Sequence, residues 1–290
     1  MNVESLPQVS RRRRTTDRVM RGSLLLGVIV ALVPLILILY YLLSKGVGQW
    51  TGSFFSTDPN GNFFGNAGGV RSAILGTLEI VALASAISIP AGLGVALWLT
   101  EYGKDSRFAS IVRYFVDVMT GVPSIMFGLF IYIFLVISKV GGAGFTAWKG
   151  SLALSLLMLP IVIRSSEVVL MLVPSSLREA ALALGAPRWQ IIRRVVLPTA
   201  LPGLITGSLL AVARAMGETA PLLFTVSTAF ALTGNLGAQM NTLTVQIFSD
   251  ITSPRDQIVA RAWGAALTLV VLVLILNLIA RAVARRSRVA

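Results

Sequence analysis

The stretch PSSLREAALALGAPRWQIIRRVVLP, residues Pro174 to Pro198, decides how the rest of this chain is read. It carries four arginines and one glutamate between two long apolar runs, so it lies outside whatever apolar layer those runs cross. The spacing predicts two short helices. Ser175 or Ser176 can cap an alanine-rich segment, Gly185 supplies the turn that ends it, and Trp189 to Val196 forms a second, amphipathic segment stopped by Pro198. A linker resting on an interface would explain the amphipathic character. It would not explain the order of small residues Ala180, Ala181 and Gly185 ahead of Leu197 and Pro198.

Outward from this stretch the chain is dominated by apolar residues. Of 290 residues 55% are hydrophobic and 13% charged, against about 25% charged in soluble domains. Apolar stretches near the ~20 residues needed to cross a bilayer run from Gly22 to Ser44, from about Ser72 to Thr100 with Glu79 near its start, from Val118 to Ser138 and from Ala262 to Ala280. Two further spans are less pure: the interval between Lys149 and Arg178, and a helix that starts near Leu201 and fades beyond Phe224. The first span lacks a small-x-small cleavage site and is expected to stay as an anchor. Ala229 to Phe248 is uncharged too, but its Thr, Asn, Gln and Gly content predicts a connecting loop with at most a short or re-entrant helix. The expected fold is therefore an all-α integral membrane protein with six transmembrane helices over 22–281, flanked by basic tails at 1–21 and 282–290.

The net charge of +13 is read by position. The N-terminal tail, the 101–117 connection, the 174–194 connection and the C-terminus hold 17 Lys and Arg, the alternate connections six. Cytoplasmic flanks carry such an excess, so both termini are expected in the cytoplasm, with Arg11 to Arg14 holding the first helix in orientation. The charge is then a topology signal that meets membrane lipid and not nucleic acid. The aromatics Trp50, Phe54, Phe55, Phe63 and Phe64 around the turn Asp58-Pro59-Asn60-Gly61 read as an interfacial belt. With neither cysteine nor histidine, the chain has no thiolate or imidazole metal site, no disulfide and no nucleophile activated by His. Gly103-Lys104 is followed by Asp105 and sits in no phosphate-binding loop. The expectation is a non-catalytic chain without metal or cofactor.

Besides Glu79 in the second span, four ionisable residues fall at membrane depth: Arg164 and Glu167, three apart, and Arg214 and Glu218, four apart. Each costs ~2.5 to 3.5 kcal/mol at a helix centre, and within each pair the spacing places both on one helix face. Two readings stand: salt bridges that lock the bundle, or a polar substrate path. The planar arginine fork matches two oxygens of a tetrahedral oxyanion, which favours the path. Backbone breakers gather nearby: Pro90 with Gly92 and Gly94, Gly121 and Pro123, Pro160, and Gly217 with Pro221. Those around Glu218 are expected to free backbone groups that line a cavity.

The spacing Glu179-Ala180-Ala181, Gly185, Val195, Leu197-Pro198 resembles the EAA loop of ATP-binding-cassette importer permeases, with Val195 in place of the usual isoleucine. Leu99-Thr100-Glu101-Tyr102, Gly121-Val122-Pro123-Ser124, Phe127-Gly128-Leu129-Phe130, Leu159 to Arg164 and Ala213 to Leu223 further resemble the phosphate-import permeases of the A type. The resemblance implies type I importer architecture, a sister permease as heterodimeric partner and two copies of a cytoplasmic ATP-binding subunit seated on the loop. It also implies an extracytoplasmic phosphate-binding protein and a place in the cell's inner membrane. A permease for sulfate or molybdate, and a scaffold or sensor that does not transport, are the alternatives.

Overall fold

A computed structural model describes residues 11–60, 66–104, 106–142, 144–229 and 233–286. They fold as α1 (Arg11–Gly46), α2 (Gly52–Ser56), α3 (Arg71–Leu97), α4 (Arg107–Gly121), α5 (Ser124–Ile131), α6 (Ala147–Met171), α7 (Ser175–Ala183), α8 (Arg188–Ile191), α9 (Leu197–Met216), α10 (Ala220–Leu223), α11 (Leu243–Ile251) and α12 (Asp256–Arg286). Three helices are extended or joined by wide, π-type turns, at Trp98–Tyr102, Tyr132–Ile137 and Ile192–Val196. Among the described residues five helices are long and apolar enough to cross a membrane, and six if the bent pair α4 and α5 counts as one span.

The core forms around α6, which packs against α3, α9, α5 and α4. Ile80, Val81 and Ala84 of α3 meet Leu154, Met158 and Val162 of α6 and Ala211, Ala215 and Met216 of α9, all buried. Close approach depends on one missing side chain in particular: a Cβ on Gly92 would lie 2.7 Å from Val162 Cγ1. Gly92 is thus a packing residue, and α3 continues through Pro90 as α6 does through Pro160. Neither proline breaks its helix, in keeping with the single spans read there, because one lost hydrogen bond is tolerated where neighbouring helices enclose the turn. At the periphery α1 leaves nearly all its apolar residues exposed and touches α12, where a Cβ on Gly46 would come within 2.9 Å of Leu267 and Trp263.

Several boundaries differ from the sequence reading. The first helix begins at Arg11, inside the basic tail, with an Asp17–Arg21 pair at 3.1 Å on its exposed face. The span expected from Val118 to Ser138 is divided between α4 and α5, which meet at 101° across Val122 and Pro123. Proline forces its predecessor out of helical conformation, and Val122 is extended at ψ 130. The helix expected to stop at Pro198 does not stop there: from Arg188 the chain winds through the wide turn into α9 and reaches Met216. The wide turn lies where the absent proline N–H would otherwise leave a gap in the α-helical ladder. Ser175 and Ser176 provide no cap, since Pro174 takes the cap position of α7 without a side-chain hydrogen bond.

At the end of the molecule remote from α7, the segment expected as a loop contains α11, with Leu243, Thr244, Val245, Gln246 and Asp250 buried. Asp250 accepts two hydrogen bonds from Arg261 of α12, from Nε at 2.8 Å and Nη2 at 2.7 Å, and both residues are buried. Arg261 also donates to the Ala67 carbonyl. Asn241 Nδ2 donates to Gln246 Oε1 at 2.9 Å. This polar layer ties the 66–70 segment to α11 and α12. Of the expected aromatic belt, Phe54 is instead core, and Trp50 donates through Nε1 to the Gly264 carbonyl at 3.3 Å. Phe55 is exposed, while Phe63 and Phe64 lie outside the described residues. Lys149, read as a flanking charge, is buried within α6, with Nζ donating to the Gly144 carbonyl at 2.9 Å.

Candidate functional site

Arg164 and Glu167 do interact, and they do so in larger company. Arg164 Nη1 donates to Glu167 Oε2 at 2.8 Å, and Arg113 Nε of α4 donates to Glu167 Oε1 at 2.6 Å. Arg164 Nε in turn donates to Asp117 Oδ1 at 2.8 Å. Two arginines and two acids alternate, so the group is close to neutral and the buried Glu167, 3% exposed, has a cation on each oxygen. Arg113 also donates to the Leu99 carbonyl at 3.1 Å, which ties α4 to the end of α3. Sequence reasoning placed Arg113 and Asp117 in a connecting loop and missed them. The signal was present: they are four apart in a run with Phe108, Ile111, Val112, Phe115 and Val116 at helical spacing, behind the capping Ser106.

Arg214 and Glu218 form a looser pair. α9 ends at Met216, so the four-residue spacing is not a turn of one helix as expected. Gly217 and Glu218 donate their N–H groups to the carbonyls of Arg214 and Ala215, at 3.1 and 3.2 Å. That tightened turn returns the Glu218 carboxylate to Arg214, 3.5 Å from Nε. Arg214 is 61% exposed and Glu218 16%. The arginine occupies the last turn of its helix, where a cation is favoured by the helix dipole.

Backbone irregularities converge on Arg214. A hollow of about 50 Å³ is lined by Arg214, by Leu157, Pro160 and Ile161 of α6, and by residues on both sides of the α4–α5 break, among them Thr120, Val122 and Ser124. Pro160 and the α4–α5 bend contribute to this hollow, whereas Gly217, Glu218 and Pro221, around which a cavity was expected, do not line it. A larger groove of about 510 Å³ runs between α6 and α9, with Arg164, Ser165 and Thr206 as its polar lining and Val168, Val169, Pro202 and Gly203 among the rest. The two helices run antiparallel, Gly203 opposite Val169 and Gly207 opposite Ser165. Seven residues separate Gly207 from Arg214, so the two arginines lie about 10 Å apart along the bundle. The structure therefore sets the arginine of each pair at a hollow of its own and does not bring the two pairs together.

The 174–198 stretch projects from one end. None of the residues of α7 is buried, and Leu177, Leu182, Leu184 and Trp189 expose large apolar surfaces. Gly185 has φ +78, the left-handed conformation that the expected turn needs. Glu179 and Ala180 are exposed, while Ala181, Val195 and Leu197 lean on a buried cluster formed by Ala96, Leu170, Val173, Ile191, Val196, Ala200 and Leu204. An outward apolar and acidic face over an inward apolar seam suits a surface that receives another protein. No group of His, Cys, Asp or Glu able to hold a metal occurs among the described residues.

Comparison with known proteins places this geometry. Residues 88–289 match the family described as binding-protein-dependent transport system inner membrane component. The phosphate transport system permease protein PstA 1 of Mycobacterium tuberculosis is 38% identical, over 99% of this chain and 97% of the relative. The phosphate transport system permease protein PstA of Haemophilus influenzae is 39% identical, over 93% and 94%. A bacterial alginate transporter of the ATP-binding-cassette class, solved in complex with an alginate-bound periplasmic protein, matches with a TM-score of 0.68 over 94% of this chain and 96% of its own, at 18% identity. That likeness concerns the fold.

Proposed function

The chain belongs to the family of binding-protein-dependent transport system inner membrane components, and from that membership we propose that it is a permease subunit of an ATP-driven phosphate importer, forming half of the translocation path. The observation that carries the substrate is the match to phosphate permeases along 93 to 99% of the chain. Its place is the inner membrane, crossed several times, with both termini in the cytoplasm.

The 174–198 stretch is the docking loop for a separate ATP-hydrolysing subunit. Glu179, Ala180, Ala181 and Gly185 shape the helix that enters the partner, and Leu197 and Pro198 carry the chain back into the bundle. ATP-driven closure of two such subunits moves the loop, and the continuous helix from Arg188 to Met216 transmits that motion to Arg214. Arg214 is the cation that receives the oxyanion, because it is the more exposed arginine and faces a hollow at a broken turn. Glu218, 3.5 Å away, limits how tightly the anion is held and so permits release. Arg164 lines the wider groove while Glu167 anchors it to α4, giving this pair a part in both path and packing. A sister permease supplies the other half of the path, and an extracytoplasmic binding protein delivers phosphate.

The deciding experiment reconstitutes the chain with its sister permease, ATPase and binding protein in vesicles and follows labelled phosphate. Uptake that requires ATP and resists a large excess of sulfate and molybdate is the expected result. Equal transport of sulfate would move the assignment to another oxyanion, and hydrolysis without any uptake would leave a scaffold or sensor.

A further inference from the structure

Arg178, on the side of α7 that faces the membrane helices, makes a contact that the docking role does not require. Its Nε and Nη2 donate to Glu101 Oε1 at 3.2 and 2.8 Å, Nη1 donates to the Val173 carbonyl at 2.7 Å, and Nη2 donates to the Leu170 carbonyl at 3.0 Å. Glu101 lies in the wide turn Trp98–Tyr102 that ends the helix begun by α3, and Leu170 and Val173 lie at the end of α6. One guanidinium thus holds the ends of two core helices from a third. The pair is largely shielded, with Arg178 24% and Glu101 12% exposed. Among the described residues, Arg178 provides the side-chain hydrogen bonds that run from α7 to these two helices, and α7 itself buries nothing.

We propose that the Arg178–Glu101 clasp is the joint through which movement of the docking loop enters α3, with Arg178 a positioning residue for transport. The proposal rests on the reading of 174–198 as the ATPase docking loop. The loop is attached in two ways. The chain joins it to α9 on one side and, through Leu172, Val173 and Pro174, to α6 on the other, and Ala181, Ile191, Val196 and Ala200 share an apolar seam with Leu170 and Val173. The clasp adds an ion pair to the wide turn that ends the α3 helix. A displaced α7 carries α6 and α9 with it through the chain, whereas α3 has no covalent link to α7 and is drawn by the clasp beside the apolar contact at Ala96. Arginine suits this task because its planar fork bridges a carboxylate and two carbonyls at once, and a guanidinium at the end of α6 complements that helix's unpaired carbonyls. Lysine, a point charge, cannot hold all three.

The test uses the complete complex in vesicles, with Arg178→Lys and Glu101→Ala compared with the native chain. Both variants should keep their full subunit content and a rate of ATP hydrolysis within about twofold, while phosphate taken in per ATP falls at least about tenfold, the scale of hydrogen bonds to charged groups. Unchanged uptake per ATP in both, or loss of uptake only in proportion to lost subunits, would overturn the proposal. A second readout follows the joint directly. The chain has no cysteine, so Lys104→Cys and Leu184→Cys allow spin labels on either side of the clasp in a complex whose other subunits lack reactive thiols. Their separation should hold constant between nucleotide-free and ATP-bound states in the native background and change when Arg178→Lys is added. A native separation that itself changes with ATP would mean the clasp opens, and the proposal would fail. Gly185→Val separates this from the docking reading: normal ATPase attachment and uptake in that variant would remove the docking loop, whatever the clasp variants do.

Discussion

Replacing Arg214 by glutamine distinguishes a substrate-binding arginine from a structural one, and the two roles differ in magnitude. The Arg214–Glu218 contact is 3.5 Å long and its arginine is 61% exposed. Pairs of this kind contribute about 0.2 to 1 kcal/mol, so Arg214→Gln should alter assembly by no more than about fivefold. An anion seated against the guanidinium is a different matter. A unit charge at 4 Å interacts by about 4 kcal/mol at an effective dielectric of about 20 and by about 1 kcal/mol in bulk water. The small, partly open hollow around Arg214 lies between these limits, which places the loss of uptake at roughly tenfold to a hundredfold. The assay is subunit content and labelled-phosphate flux of purified complexes carrying Arg214→Gln, Glu218→Gln and both. A structural pair predicts assembly and flux reduced together in the single variants, within that bound of about fivefold, and recovery of both in the double variant. Flux restored in the double variant, or flux within twofold of native in Arg214→Gln, would refute the assignment of Arg214 to the path.

The four-charge group should behave in the opposite way. Arg113→Gln leaves one oxygen of the 3%-exposed Glu167 without its cation, at a cost of up to about 3 to 5 kcal/mol, to be read as a lower unfolding temperature in detergent and reduced yield of intact complex. Gly185→Val forces a β-branched residue to φ +78, a strain of about 1 to 3 kcal/mol, and should reduce co-purification of the ATPase while membrane insertion stays normal. Reporters after Ala290 or near Lys104 should read cytoplasmic and one near Asn60 external. On the other external connection the tag belongs at Gly142, which has open space around it, and not at the buried Lys149. An external C-terminus would contradict the charge-based orientation.

What the sequence revealed and what it concealed follow from the range over which each signal acts. Long apolar runs and the Gly185 turn are local, and they located the helices and the exposed 174–198 stretch. The Arg164–Glu167 pair was visible because both members belong to one helix. Its partners were not, because Arg113 and Asp117 lie 47 to 54 positions away and were read as loop charges. α4 was hidden by the same habit: a charged amphipathic segment beside an apolar run resembles a flank until Pro123 is recognised as a bend between two helices. The Asp250–Arg261 bond was missed because both residues border spans, where charges are expected to face water. Continuity through Pro198 had no local signal at all, since a wide turn has no distinctive composition. For Arg214 and Glu218 the sequence carried the pairing but not its geometry, because the helix ends between them.

The seam between α1 and α12 has a consequence for how the protein is made. α1 leaves the ribosome before α12, and the residues that meet Gly46, Trp263 and Leu267 of α12, are synthesised about 220 positions later. At about 5 to 20 residues per second, α1 waits roughly ten to forty seconds in the bilayer before its contact surface exists. During that interval the protein has no tertiary contact there to correct an inverted helix. Orientation must be fixed by the helix itself, which gives the arginines between residues 11 and 21 a task in biogenesis that the finished fold no longer displays.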